Sequence, residues 1–212
     1  MTADFSKHFA NIFHQLERFG LLLVSDQNFP SVAYTIAQKQ RKGSWWSYPE
    51  AHTIFAVNSM LDDHPDVLIM KLISGKVTFV HRELWGRIYS IAVARENWQM
   101  KPLSSAARAL LKRIDADKSI ETGVLGKKFE PKPNNAAREL EVHLLIHTKQ
   151  VHTPTGAHAK ILETWDQCAK AAAFRGRPKD PVASRRSLEN RLHSINAEYP
   201  NRFVRFPWPP NM

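Results

Sequence analysis

Between Val67 and Val80 the chain holds two short runs rich in Val, Ile, Leu and Phe, parted only by Ser74-Gly75. Such a break between apolar runs predicts a β-hairpin turning at Ile73-Ser74-Gly75-Lys76. The segments before it have helical periods instead. Phe5, Phe9, Ile12, Phe13, Leu16 and Phe19 recur at three- and four-residue steps and Gly20 follows, which predicts an amphipathic helix with a glycine stop. A short second helix is expected from about Pro30 to Gln40, with Pro30 in its first turn and Val32, Ala33 and Ile36 inward. Ser47-Tyr48-Pro49-Glu50 has the form of a capping box, opening a third helix through Ile54, Phe55, Val57, Asn58 and Leu61. Beyond the hairpin, Leu84, Ile88, Ile91 and Ala92 mark another helix up to about Asn97.

The second half runs in a similar order. Ser104 or Ser105 starts a helix carrying Leu103, Ala106, Ala107, Leu110, Leu111 and Ile114. A short helical segment from Ile120 to Phe129 is expected, then a break at Pro131 and Pro133. Ala136, Ala137, Leu140 and Leu144 give a third helix its inward face, and Leu145–Val151 reads as a strand. Thr153-Pro154-Thr155-Gly156 makes the turn, Ala159–Leu162 returns, and Trp165–Phe174 closes as a helix. Residues 184–198 can form a helix with Leu188, Leu192 and Ile195 on one side. The aromatic, Pro-rich end from Phe203 to Pro210 cannot be helical, and it is expected to pack on its own domain.

Helix, helix, helix and hairpin is the winged-helix order. The expected fold is therefore mainly α with small β-hairpins (α+β), arranged as tandem winged-helix units. The expected divisions are 1–100, 101–174 and a basic tail, 175–212. No sequence repeat aligns the halves, and a single mixed domain with two hairpins is the alternative arrangement.

Charge separates the halves more sharply than pattern does. Residues 1–100 hold 10 Lys+Arg against 9 Asp+Glu, and residues 101–212 hold 20 against 11, so the net +10 sits almost wholly in the second half. A basic half of that kind is suited to phosphates, and DNA is the expected partner. The single cysteine, Cys168, allows no internal disulfide and fits a reducing compartment. It lies in an Ala-rich helical run, where a small buried thiol is the ordinary reading. No secretory signal is visible at the start, and no apolar stretch reaches about 18 residues. A cytoplasmic protein without a membrane partner is expected.

In a winged helix the third helix enters the major groove and the wing touches backbone. With Ala137, Leu140 and Leu144 inward, Asn134, Asn135, Arg138 and Glu141 share the other side. Asn and Arg are the residue types that read adenine and guanine edges. Lys149, His152, His158 and Lys160 flank the wing turn, and Arg175, Arg177, Arg185 and Arg186 extend the basic surface into the tail. Arg41, Lys42, Lys71, Lys76 and Arg82 could meet phosphate from the first unit. The adjacent Trp45-Trp46 could stack on an unpaired base. His143 and His147 are four apart, but His147 reads as already on the strand. With no cysteine or carboxylate completing a ligand set, no metal and no cofactor are expected. Nothing has the form of a phosphate-binding loop, a dinucleotide fingerprint or a Ser-His-Asp signature.

Three stretches resemble a known family. Leu72-Ile73-Ser74-Gly75-Lys76-Val77-Thr78-Phe79-Val80-His81-Arg82-Glu83-Leu84-Trp85, Leu103-Ser104-Ser105-Ala106-Ala107-Arg108 and Ala137-Arg138-Glu139-Leu140-Glu141 are similar to bacterial winged-helix proteins distantly related to the AlkZ-like DNA glycosylases. The resemblance covers about residues 20–165. It implies tandem winged-helix domains and excision of alkylated or crosslinked bases. That family places a Gln, an apolar residue, then Gln or Asp after its first helix. The matching stretch here is Leu22-Leu23-Val24-Ser25-Asp26-Gln27-Asn28, without the leading Gln. By that resemblance Asp26 or Gln27 is the candidate to activate a water. The expected function is non-enzymatic DNA binding, in repair or transcription. The alternatives are a glycosylase-like repair enzyme or its relic, and a winged-helix module that docks proteins.

Overall fold

The computed structural model describes residues 2–39, 43–125, 133–152, 158–176, 178–199 and 204–209. By packing the chain divides into two units, one made of Met1–Trp85 with Arg186–Phe206, the other of Gly86–Arg185 with Pro207–Met212. These divisions fall elsewhere than composition suggested, because the basic tail is shared between the units instead of standing apart.

In the first unit α1 (Thr2–Phe19) runs into β1 (Leu21–Leu23), followed by α2 (Val32–Ala37), α3 (Ala51–Asp62), β2 (Val67–Lys71) and β3 (Val77–His81). The strands form one antiparallel sheet in the order β1-β3-β2. Gly20 makes the turn from α1 to β1. Its N–H donates to Leu16 O at 2.7 Å and its carbonyl accepts from His81 N at 2.9 Å. Ile12, Leu16, Leu22, Val32, Ile54, Val57, Leu61 and Phe79 meet in the core between helices and sheet. The expected hairpin is present, with a short 3₁₀ turn at Ile73–Gly75. The capping box is not. Ser47 closes a 3₁₀ turn over Trp45–Ser47 and donates its hydroxyl to Ser44 O at 2.7 Å, so α3 begins at Ala51 with no side-chain cap. A serine hydroxyl satisfied by its own turn is lost to the helix that follows.

The second unit contains α4 (Trp85–Ala94) from Gly86 onward, then α5 (Asn97–Met100), α6 (Ser105–Asp117), β4 (Ser119–Glu121), α7 (Pro133–Val142), β5 (His147–His152), β6 (His158–Glu163) and α8 (Trp165–Ala171). Its sheet is antiparallel in the order β4-β6-β5. Ser104 caps α6 by accepting from Ala107 N at 3.1 Å, as the sequence suggested. The segment expected to be helical from Ile120 is instead strand β4 followed by a 3₁₀ turn over Thr122–Leu125. Residues 126–132 lie outside the described ones, Pro131 included. Lys118 at φ 64° ends α6, and the chain then pairs beside β6, which a short strand can do with only Ile120 pointing inward. The core gathers Ala107, Leu110, Leu111 and Ile114 of α6, Ala137 and Leu140 of α7, and Leu145, Ile146 and Leu162.

The units therefore share one order: helix, strand, a short helical segment, helix, strand, strand. In both, the first strand lies beside the third. The final long helix, α9 (Pro181–Glu198), gives its first residues to the second unit and the rest to the first. Leu188, Leu192 and Ile195 are buried on it as expected. Arg191 reaches Glu83 at 2.8 Å, and Arg18 reaches Glu198 at 2.8 Å. The tail packs within the units too: Phe206 and Trp208 are buried, and Trp208 lies edge-on to Trp98. Among the described residues no helix is long and apolar enough to cross a membrane.

Candidate functional site

Helix α7 lies between β4 and β5 in the second unit, after the 3₁₀ turn over Thr122–Leu125. Its inward stripe is Ala136, Ala137 and Leu140, which leaves Asn134, Asn135 and Arg138 exposed. Residues 134, 138 and 142 lie at four-residue steps, so Val142, 38% exposed, completes this face. Glu141, expected on the same side, is buried instead. It accepts from the Thr148 hydroxyl and pairs with Lys160 Nζ at 3.2 Å. Glu139 is also turned to internal work, accepting from the Ser104 hydroxyl at 2.8 Å. The exposed face of α7 therefore presents two amides and one guanidinium, with both acids withdrawn from it.

The residues expected on a wing follow this helix in the chain and are partly engaged. Lys149 is exposed and lies 3.2 Å from Glu163 Oε1, and Lys160 is tied to Glu141. His152 pairs with His158 in the β5–β6 register, but both side chains, and residues 153–157, where a turn was expected, lie outside the described residues. Arg175 and Arg186 are exposed, and Arg177 lies outside the described residues. Arg185 is a correction. It is 2% exposed and ion-paired with Glu96, so it is a core residue and not a phosphate contact.

In the first unit the expected cations are largely spoken for. Lys76 Nζ sits 2.5 Å from Asp26 Oδ2, and Arg82 pairs with Asp66 at 3.5 Å while lying over Trp85. Lys71 is half-buried and has a partner, and Arg41 and Lys42 lie outside the described residues. Asp26, the candidate base, has a side chain only 5% exposed. Besides Lys76 it accepts from Asn28 N at 2.8 Å, and Gln27 beside it is half-buried. Trp45 and Trp46 stack on each other with centroids 3.9 Å apart, and Trp46 is 61% exposed. Phe55 approaches Trp46 at 5.7 Å in a tilted arrangement, so the indole already has two aromatic neighbours. A base could reach only what these neighbours leave uncovered.

One constellation escaped the sequence reading altogether. His147 opens β5, Glu163 ends β6, and the two are direct cross-strand partners. His147 Nδ1 lies 2.9 Å from Glu163 Oε1. Cys168, one turn into α8, completes a group whose ligand atoms all lie within 4.8 Å of one another. The expectation that no cysteine or carboxylate joins His147 is thus overturned. The signal that could have found it is the pairing register, which places position 147 opposite 163 but cannot be read from residue types alone. His143 stays apart, its Nδ1 2.8 Å from Glu139 O at the end of α7.

All three residues are buried. Burial is the largest influence on His147 and disfavours its charged form. The hydrogen bonds and charges of Cys168 and Glu163 together outweigh it and raise the imidazole to about 9. Burial likewise pushes the Glu163 carboxyl up, but His147 and Lys149 outweigh it and hold the group below its usual range. Thr164 and Trp165, between Glu163 and Cys168 in the chain, also line a cleft of about 340 Å³ together with Arg95, Asp115, Lys118 and Asp166. There Asp115 takes a two-pronged bond from Arg95 at 2.5 and 2.8 Å. Asp166 accepts from the Tyr89 hydroxyl, a bond that with burial and the carboxylate charge pushes that phenol to about 12.

Compared with protein-family models, curated proteins and solved structures, the chain matches none.

Proposed function

We propose that the chain is a non-enzymatic DNA-binding protein of two winged-helix units, with the second unit making the contact that reads sequence. The observation that carries this reading is the exposed face of α7, where Asn134, Asn135 and Arg138 stand together with no acid among them. The shared element order and the β1-β3-β2 and β4-β6-β5 sheets support the winged-helix assignment, since that fold pairs its first strand with its third. The net +9 of residues 101–212, from 20 basic and 11 acidic residues, supports a phosphate partner.

On this reading α7 lies in the major groove. Arg138 is placed to take the O6 and N7 acceptors of guanine, and the two asparagines suit the N6 and N7 edge of adenine. Lys149 and Arg175 are exposed cations for backbone contacts, which position the protein without reading bases. The third helix of the first unit does not have this character. Sequence Ala51–Asp62 contains no Lys or Arg and exposes Phe55. Base reading is therefore assigned to one unit. The repair alternative gains nothing from Asp26, whose carboxylate is buried against Lys76.

The experiment is fluorescence anisotropy with random-sequence duplex DNA, and then with a site selected from it, over a range of salt. Affinity is expected to fall steeply as salt rises. On the selected site Arg138→Ala is expected to weaken binding by about 1–3 kcal/mol, and to relax preference at one base pair. Lys149→Ala should weaken all duplexes alike. Salt-independent binding, or an Arg138→Ala protein that discriminates sites as the parent does, defeats the reading.

A further inference from the structure

We propose that His147, Glu163 and Cys168 form a binding site for one zinc-type divalent ion inside the second unit. Three separate elements bring them together. The β5–β6 register sets His147 against Glu163, and α8, capped by Thr164 on Gln167 N at 3.2 Å, turns Cys168 back toward the pair. Trp165 holds the wall of the site. Its indole N–H donates to Leu144 O at 2.8 Å and its ring lies 5.6 Å from that of His147.

The chemistry of the donors selects the ion. Thiolate, imidazole and carboxylate are the three ligand types that zinc takes, at about 2.3, 2.0 and 2.1 Å. Magnesium and calcium require oxygen, and a thiolate excludes them. Ligand atoms already within 4.8 Å of one another need only small side-chain movements to converge on one ion. Three protein ligands leave a fourth position for water.

A thiol, an imidazole and a carboxylate buried together have one other way to satisfy each other, which is to share protons. Metal binding replaces that arrangement. The S–H bond of Cys168 breaks and its proton goes to solvent, while the sulfur electron pair goes to the metal. Any proton on the ligating nitrogen of His147 leaves likewise. Lys149, half in solvent and 3.2 Å from Glu163, swings away as the carboxylate turns to the ion. No oxidation state changes. The inference is independent of DNA binding, because none of the three ligands lies on the exposed face of α7.

The test is a titration of the full chain, stripped of metal by chelator dialysis, with cobalt(II) under reducing conditions. Cobalt bound by a thiolate in a four-coordinate site gives a sulfur charge-transfer band and intense visible d–d bands. One equivalent is expected to saturate both, and zinc, added in turn, to bleach both. The charge-transfer band should vanish in Cys168→Ser, and zinc, unlike magnesium, should raise the melting temperature of the parent. Absence of these bands in the parent protein overturns the proposal without any variant being made. Visible d–d bands that survive unchanged in Cys168→Ser overturn it too, since they report cobalt held elsewhere, as by surface histidines. A Cys168→Ser chain that fails to fold leaves the parent spectrum to decide.

Discussion

Glu96→Ala is expected to cost about 3–5 kcal/mol of stability, because it takes the paired carboxylate from a buried arginine. Arg185 is 2% exposed and ion-paired with Glu96 in the second unit. Water cannot reach the guanidinium, so the charge left behind keeps its desolvation penalty and loses the carboxylate that offsets it. Glu96 does more than pair. It accepts from Trp98 Nε1 at 3.0 Å and caps α5, where Gln99 Oε1 in turn accepts from Glu96 N at 2.8 Å. Gln99, fully buried, also donates to His143 O at 3.1 Å, which ties the cap to the end of α7. For a chain of this size the loss should lower the melting midpoint by about 10 °C. Calorimetry of Glu96→Ala and of Glu96→Leu with Arg185→Met checks the cause. If loss of that ion pair is what hurts, the double variant regains part of the loss; a Glu96→Ala midpoint equal to that of the parent sinks the argument.

Arg185 shows what the sequence could and could not say. Taken as one of many cations in a basic tail, it was expected on a phosphate-facing surface. Yet positions 185, 188, 192 and 195 are spaced three, four and three apart, so Arg185 stands on the same stripe as Leu188, Leu192 and Ile195. Periodicity held the answer and composition obscured it. Glu141 repeats the point, four residues after Ala137 and three before Leu144, on the inward side of α7. The long helices and the Val67–Val80 hairpin were legible because each has a strong period or a clear turn. Strands β1 and β4 were not. Each has three residues, too few for alternation to show, and each depends on a partner strand distant in the chain. The exposed trio on α7 was readable from spacing alone. The His147–Glu163–Cys168 group was not, because a register and a helix start must both be known before the three can be seen to meet.

Gly20→Ala is expected to destabilise the first unit by about 2–5 kcal/mol, from backbone strain and overpacking together. Gly20 has φ +74°, a conformation that costs an alanine about 1–2 kcal/mol. Position also matters. A Cβ there would lie 2.7 Å from Leu84 Cδ1 and 3.0 Å from Glu83 Oε1. Leu84 is 2% exposed, and Glu83 is held by Arg191 at 2.8 Å, so neither side chain can retreat freely. The backbone has no slack either. Gly20 N bonds Leu16 O and Gly20 O receives His81 N, which fastens the end of α1 to the end of β3. Relaxing φ would break one of these bonds and shift β1 against β3, whose register sets Leu21, Leu22 and Leu23 in the core. Gly75 serves as the control. Its φ is +70° but a Cβ there meets nothing within 4 Å, so Gly75→Ala carries the strain without the clash. Urea unfolding of the two variants should separate them, with Gly75→Ala losing about 1–2 kcal/mol and Gly20→Ala clearly more. Equal losses would mean that the close approach of Leu84 to Gly20 contributes nothing, and that the glycine is required for its dihedral alone.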